Sequence, residues 1–114
     1  MASPAVYNLV VPQATTFNFQ FYIATDGVRW NLTNYTATMT VRPFAGATTT
    51  TLLGTNTNGV IAIDGPDGQL TITFNALQTD IPAGTYEYDI VLNSGSVITR
   101  ILEGKFIVTA GVTL

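Results

Sequence analysis

An alternation of apolar and polar residues near the start of the chain restricts the folds that are open to it. Phe17, Phe19, Phe21 and Ile23 are separated by single, more polar residues. Successive side chains of a β-strand point to opposite faces, so this period of two predicts a half-buried strand and not a helix. A chain of 114 residues has room for one core, and we expect a single domain over residues 1–114.

The same period of two recurs further along the chain. In residues 35–42, Ala37, Met39 and Val41 share one face, and Pro43 ends the strand. Further strands are predicted over residues 6–11, 60–64, 69–74, 85–93 and 97–109, with a loop or ragged edge strand in residues 45–58. The side chains predicted to form the core are Phe17, Phe19, Phe21, Met39, Val41, Ile72, Phe74, Tyr88, Ile90 and Ile101.

Turn sequences separate these strands at fairly regular spacing. Residues 26–27, 65–68 and 93–96 combine Asp, Asn, Pro, Ser and Gly as tight turns do. Residues 77–81 can form one helical turn, and Gly104 predicts a bulge in the last strand. Seven or eight short strands with such turns indicate an all-β fold, an antiparallel two-sheet sandwich, with a closed barrel as the alternative.

Charged side chains are scarce, at 10% of the chain, and the net charge is -3. Arg29, Arg42, Arg100 and Lys105 are the only basic residues. Nucleic acid is not expected as a partner, because phosphate neutralisation needs clustered Lys and Arg. No membrane association is expected either, since no run approaches the ~20 apolar residues of a membrane span and the first residues lack the features of a secretion signal.

The residue types of the common catalytic and metal sites are missing or isolated. With no His and no Cys, the usual general base, thiol nucleophile and zinc ligands are excluded. Glu87 and Asp89 lie two apart on one strand face, a spacing that a glycosidase pair can use, but neighbouring strand carboxylates on a solvated face are far commoner. The acidic turn at residues 64–68 lacks the repeating ligands of a calcium loop, and Ser94 and Ser96 are turn residues. We therefore predict no catalytic, cofactor or metal site and no enzymatic activity.

Two further sets of side chains suggest binding surfaces. Arg100 and Glu103, in the last long strand, can form an interface pair, although a solvated pair is the simpler interpretation. Aromatic side chains can form a platform for sugar rings, as in β-sandwich lectin domains, although core burial is the simpler interpretation for most of them. The side chains in question are Tyr22, Trp30, Tyr35, Tyr86 and Tyr88.

A series of short segments extends over nearly all of the chain. They are Ala14-Thr15-Thr16-Phe17, Asp26-Gly27-Val28, residues 30–37, residues 81–90, Gly95-Ser96-Val97, residues 100–106 and Val112-Thr113. In this order they resemble a group of small immunoglobulin-like β-sandwich proteins of tailed bacteriophage virions. Similar arrangements occur in small phage structural proteins and in the N-terminal domains of upper baseplate proteins.

The resemblance implies a virion structural protein, assembled in the cytoplasm of the host bacterium. The first expectation is a capsid decoration or cement protein that bridges subunits of the major capsid protein. Such a protein acts through many weak contacts coupled by oligomerisation, so a homo-oligomer is expected, for example a trimer on a local threefold axis. The alternatives are a tail, neck, baseplate or fibre-attachment component, and a carbohydrate-binding module for the host surface.

Three uncharged segments are candidates for contacts with those partners. They are residues 1–5, which we expect to form an N-terminal arm, residues 45–58 and residues 110–114. Each has too little periodicity to predict firm packing within the domain. An uncharged arm can dock on a neighbour by adding to an exposed strand edge.

Overall fold

The computed structural model describes residues 5–44 and 46–111, and their regular structure consists of β-strands. Eight of the eleven strands have four residues or more, as the sequence predicts. The strands are β1 (Ala5–Val6), β2 (Leu9–Pro12), β3 (Phe17–Tyr22), β4 (Ala24–Thr25), β5 (Val28–Arg29), β6 (Thr36–Arg42), β7 (Leu52–Thr55), β8 (Ile61–Asp64), β9 (Gln69–Phe74), β10 (Gly84–Asn93) and β11 (Ile98–Thr109). No helix in the described ranges has the length and hydropathy of a membrane span.

The strands form two main sheets with a small hairpin beside them. The large sheet has the order β1-β11-β10-β6-β7, and β2 also pairs with β11. The small sheet has the order β3-β9-β8. Most pairings are antiparallel, as predicted, but β1 and β2 run parallel to β11. Asp26 and Gly27 join β4 to β5 with φ angles of 52° and 79°, the two positive values that a type I′ hairpin turn requires.

The connections between the sheets give an immunoglobulin-like sandwich. The chain changes sheet between β2 and β3, between β3 and β6, between β7 and β8 and between β9 and β10, while β8-β9 and β10-β11 are hairpins. This order matches strands B, C, C′, D, E, F and G of immunoglobulin domains. At the start of β10, the Tyr86 hydroxyl donates to the carbonyl oxygen of Pro82 at 2.6 Å, which is the tyrosine corner typical of strand F.

Apolar side chains from the inner faces of both sheets form the core. Of the ten predicted core residues, Met39, Val41, Ile72, Phe74, Tyr88 and Ile90 are buried. The other four, Phe17, Phe19, Phe21 and Ile101, are only partly buried against that core. Three of these belong to β3, and the described residues pair only one of its edges, the one against β9. These four side chains therefore lie at the margin of the core and not at its centre.

The N-terminal strand predicted over residues 6–11 is interrupted at Tyr7 and Asn8, where the chain passes over Gly104. A Cβ atom on Gly104 would lie 2.8 Å from the carbonyl carbon of Tyr7, so only glycine fits there. The Tyr88 hydroxyl donates to the Tyr7 carbonyl oxygen at 2.6 Å, and the Lys105 amide donates to Asn8 Oδ1 at 3.0 Å. These bonds fix the bend over the glycine.

The bulge predicted at Gly104 lies elsewhere in β11. The register with β10 shifts between Ile90, opposite Leu102, and Val91, opposite Arg100, so the extra residue is Ile101. A glycine inside a strand marks either a bulge or a close backbone approach, and here it marks the approach of the Tyr7 backbone.

The threonine-rich segment 45–58 is held more firmly than its sequence predicts. It contributes the edge strand β7, and Asn58 Oδ1 accepts the Thr55 amide at 2.9 Å and the Val60 amide at 3.2 Å. Asn56 Oδ1 accepts the amide of Ala37, in β6, at 3.1 Å. Hydrogen bonds to asparagine side chains thus hold a segment that lacks the alternating apolar residues of a buried strand. Residues 1–4, 45 and 112–114 lie outside the described residues.

The helical turn predicted over residues 77–81 begins one residue earlier and ends two residues earlier. A turn covers residues 76–79, and the Thr79 amide donates to the Asn75 carbonyl oxygen at 3.1 Å without a helix following. Thr79 is fully buried, and its hydroxyl donates to the Thr15 carbonyl oxygen at 2.6 Å. The turn is therefore tied to the residues that precede β3.

Candidate functional site

The outer surface of the large sheet carries a concentration of charge. The chain has four basic and seven acidic residues. Three basic and three acidic side chains lie on β6, β10 and β11 and line one shallow depression of about 600 Å³. The net charge of these six side chains is therefore zero. We call this surface the charged face; its six side chains are Arg42, Glu87, Asp89, Arg100, Glu103 and Lys105.

Strand register sets the order of these charges. Glu87 of β10 stands between Arg42 of β6 and Lys105 of β11, and the Lys105 ammonium contacts the Glu87 carboxylate directly. One row along, Asp89 stands directly opposite Glu103. Two carboxylates in such a pair repel each other unless a cation lies between them.

Arg100 supplies that cation because of the bulge in β11. Strict alternation from the buried Leu102 would turn Arg100 into the core, but the extra residue Ile101 reverses the alternation and turns it outward. Its guanidinium Nε lies 3.1 Å from Asp89 Oδ2, and its Nη1 lies 3.9 Å from Glu103 Oε1. The predicted Arg100–Glu103 pair is present, with Asp89 as a third member.

Exposed apolar side chains surround the charged face. Val6 is 72% exposed, Phe44 62% and Leu53 48%. Val6 lies opposite Glu103, and Leu53 lies opposite Thr40 in β6, while Phe44 follows the end of that strand. A patch that combines ordered ion pairs with exposed apolar side chains has the composition of a protein-binding surface.

The carboxylates considered for chemistry are engaged in ion pairs or turns. Glu87 and Asp89 share the predicted face, but each contacts a cation. In the β8-β9 turn, Asp67 pairs with Arg29 at 2.6 Å. Across residues 5–44 and 46–111, no three His, Cys, Asp or Glu side chains form a group that can hold a metal ion. The Ser94 hydroxyl donates to the Val97 carbonyl oxygen at 3.4 Å, within the β10-β11 turn.

The five aromatic residues considered as a sugar platform do not form one surface. Tyr88 is buried. Tyr35 precedes β6 beside the end of β10, whereas Tyr86 lies at the start of β10, so the two are at opposite ends of the sheet. Tyr22 and Trp30 do line one groove, and the Arg29 guanidinium carbon lies 3.7 Å from the centre of the Tyr22 ring.

The phenol of Tyr88 has a clearly shifted pKa. Burial of its phenol raises the pKa of Tyr88 far above its ordinary value, and the nearby Tyr7 phenol adds to the rise. The hydroxyl also donates to a backbone oxygen, which favours the protonated form. Tyr88 is thus a structural hydroxyl that fixes the N-terminal segment against β10.

Comparison with known proteins gives no family for the chain. No family model matches it, and no curated protein matches it. A solved structure of the extracellular domains of the voltage-gated sodium channel beta4 subunit, described as parallel homodimers that explain its role in cell-cell adhesion, is similar with a TM-score of 0.46 and 5% identity over 98% of both chains. A putative alpha-galactosidase from Bacteroides fragilis is similar with a TM-score of 0.29 and 14% identity over 96% of this chain, which spans 16% of that protein. The immunoglobulin-like assignment rests on the strand order and the tyrosine corner of this chain.

Proposed function

We propose that this chain is a non-enzymatic structural protein of a tailed bacteriophage virion, a capsid decoration or cement protein that bridges major capsid subunits. The sequence resemblance supports the virion as its setting. The observation that carries the docking role is the charged face, where six of the chain's eleven charged side chains form a net-neutral mosaic with an apolar margin.

Such a mosaic suits the orientation of a building block on a lattice. Alternating charges select one arrangement of the partner and reject others by like-charge contacts, while contributing modest affinity. The exposed apolar side chains Val6, Phe44 and Leu53 supply contact area that excludes water. Oligomerisation then multiplies weak contacts into firm attachment.

The main alternative keeps the protein in the virion and moves it to the tail, neck or baseplate. The charged face serves equally well there, so copy number distinguishes the two positions. A carbohydrate-binding module is a second candidate, favoured by the shared groove of Tyr22 and Trp30. That candidate predicts binding of the purified chain to host-surface glycans and loss of binding in Trp30→Ala.

Binding of the purified chain to particles that lack it tests the docking role. Charge reversal in Arg100→Glu should reduce particle occupancy about tenfold or more, because it places three carboxylates together on the charged face. Arg29→Glu is the matched control, since Arg29 is similarly exposed but lies outside the charged face, beside the β8-β9 turn. Raising the salt concentration should weaken binding of the wild-type chain. Equal occupancy by both variants, with unchanged melting temperatures, would reject the charged face as the docking surface.

A further inference from the structure

The sheet edges of this sandwich are protected unequally. Exposed strand edges invite pairing with other chains, and proteins shield them with short strands, charges, prolines or bulges. Strand β7 has four residues, β8 has four and ends in Asp64, and the β1-β2 edge is interrupted and ends in Pro12. By contrast, β3 has six residues in unbroken register with β9, and it contains no charge, proline or bulge.

The outer edge of β3 presents unpaired backbone groups. The Ile23 amide donates across to the Gly68 carbonyl oxygen at 2.8 Å, in line with the β3-β9 ladder. Hydrogen-bonding groups alternate in direction along an antiparallel strand, so the N–H and C=O groups of Asn18, Gln20 and Tyr22 point away from β9. None of these backbone groups has a partner in residues 5–44 and 46–111.

The side chains beneath this edge are apolar and incompletely covered. Phe19 and Phe21 are half-buried and line a groove of about 560 Å³ with Tyr7 and Leu102 from the opposite sheet. The Tyr7 and Phe19 rings stack with their centres 5.4 Å apart. A strand added to β3 would therefore gain backbone hydrogen bonds and also cover aromatic surface.

We propose that the β3 strands of two copies of this chain pair antiparallel about a twofold axis at Gln20. In this register Gln20 faces its own symmetry mate and Asn18 faces Tyr22, so all three outward-pointing residues of each strand are paired. Phe19 then lies opposite Phe21 of the second copy. The strand is uncharged and complementary to itself, which is why a second copy is the occupant that it fits.

This dimer would join the two small sheets into one sheet of six strands. The charged faces lie on the other sheets of the two copies, and they meet the groove beside β3 at Val6 and Arg100, which line both surfaces. The pairing does not depend on the proposed function, because it is made by the backbone edge of β3 and is measured on the purified chain alone.

Cysteine crosslinking tests the register directly, because the chain has no cysteine of its own. In Gln20→Cys the two Cα atoms across the axis would be about 5.5 Å apart. In Asn18→Cys they would be about 14 Å apart, and in Ala62→Cys, at the far edge of the small sheet, about 24 Å. A short bismaleimide should link Gln20→Cys much faster than either control. Equal rates in all three variants, or faster linking of Asn18→Cys, would overturn the proposal.

Edge blocking gives an independent measurement. Gln20→Lys places two ammonium groups face to face at the axis. Sedimentation should therefore show a dimer dissociation constant that is about tenfold higher or more. Ala62→Lys adds the same charge to the same face at the β8 edge and should leave the dimer intact. If Ala62→Lys is the variant that dissociates it, or if the wild-type chain stays monomeric at all accessible concentrations, the β3 dimer is excluded. Dimerisation that appears only after removal of residues 1–4 would show that the chain's own end occupies the edge, and would overturn the proposal too.

Discussion

The two sheets of this sandwich present opposite kinds of surface. The large sheet has a fully buried inner row that includes Met39, Ile90 and Phe106, and its outer face carries the ion-pair mosaic. The small sheet has a half-buried inner row on β3, and its outer face carries mainly uncharged amide and hydroxyl groups, with the exposed carboxylate of Asp64 at the end of β8. On this face Asn18 Nδ2 donates to Thr73 Oγ1 of the neighbouring strand at 2.8 Å. The corresponding contact between neighbouring strands of the large sheet is an ion pair, as between Lys105 and Glu87.

The difference separates two ways of recognising a partner. The large sheet can recognise one through charged side chains, which makes the contact sensitive to salt and specific in orientation. The small sheet can recognise one through the backbone of β3 and the aromatic rings beneath it, which makes the contact insensitive to salt. Six of the eleven charged side chains of the chain lie on the outer face of the large sheet, so charge-dependent recognition is concentrated there.

Core substitutions should show the largest contrast between the sheets. Phe106→Ala, in the closed inner row of the large sheet, should lower the free energy of unfolding by about 3–5 kcal/mol. Phe19→Ala, at the open β3 edge, should cost only about 1–2 kcal/mol, because its ring is already partly in water. Denaturant unfolding of the purified variants measures both. Equal costs would mean that β3 is as closed as the large sheet.

Sequence periodicity was sufficient to predict the strands on which this contrast depends. The alternation in residues 35–42, 69–74 and 85–93 gave the correct inner faces, because these strands are flanked on both sides and strict period two holds. The same alternation in β3 gave the correct face but not its exposure. Depth of burial depends on which strands pair at an edge, and that is a property of the assembled sheets.

The charged face could be predicted only in part. Glu87 and Asp89 on one face follow from their spacing of two. The outward turn of Arg100 does not, since it depends on a bulge at Ile101 that no turn residue marks. Gly104 did mark an irregularity in β11. A glycine in the sequence does not distinguish a bulge from the close passage of Tyr7, because both favour a residue without a Cβ atom.

Alkaline pH should affect the large sheet through Tyr88. The pKa of Tyr88 in the folded chain lies above the value of about 10 in the unfolded chain. The contribution of its hydroxyl to the free energy of unfolding is therefore fully present below about pH 10 and is lost as the pH rises further. Melting temperatures measured from pH 8 to pH 11 should therefore fall steeply above about pH 10. Tyr88→Phe should lower stability at pH 8 by about 1 kcal/mol, through loss of the bond to Tyr7, and should reduce the alkaline loss. An unchanged alkaline loss in this variant would reject Tyr88 as its source.

Single ion pairs should have smaller effects on stability. Arg100→Ala leaves Asp89 opposite Glu103 without a cation and should cost less than about 1 kcal/mol, since the guanidinium is 55% exposed. High salt should reduce this cost further. Asp67→Asn, which removes the single ion pair with Arg29 and leaves the contact between Arg29 and the Tyr22 ring in place, should cost less still. A larger cost for Asp67→Asn would contradict the distinction between a network and an isolated pair.

Metal ions should have no measurable effect on either sheet. Neither the β8-β9 turn, with Asp64 and Asp67, nor Glu87 and Asp89 on the charged face provides a closed set of oxygen ligands. EDTA should leave the melting temperature and any self-association unchanged. A melting temperature that rises with added Ca²⁺ would show a site that these carboxylates form only on binding.

The position of the chain in an imaged phage particle tests the proposed function most directly. Under the proposed function, cryo-electron microscopy of the virions should show its immunoglobulin-like density repeated over the capsid lattice, in hundreds of copies, with the charged face of the large sheet against the major capsid protein. Density confined to the tail end of the particle, or absent from the particle, would contradict a capsid decoration role.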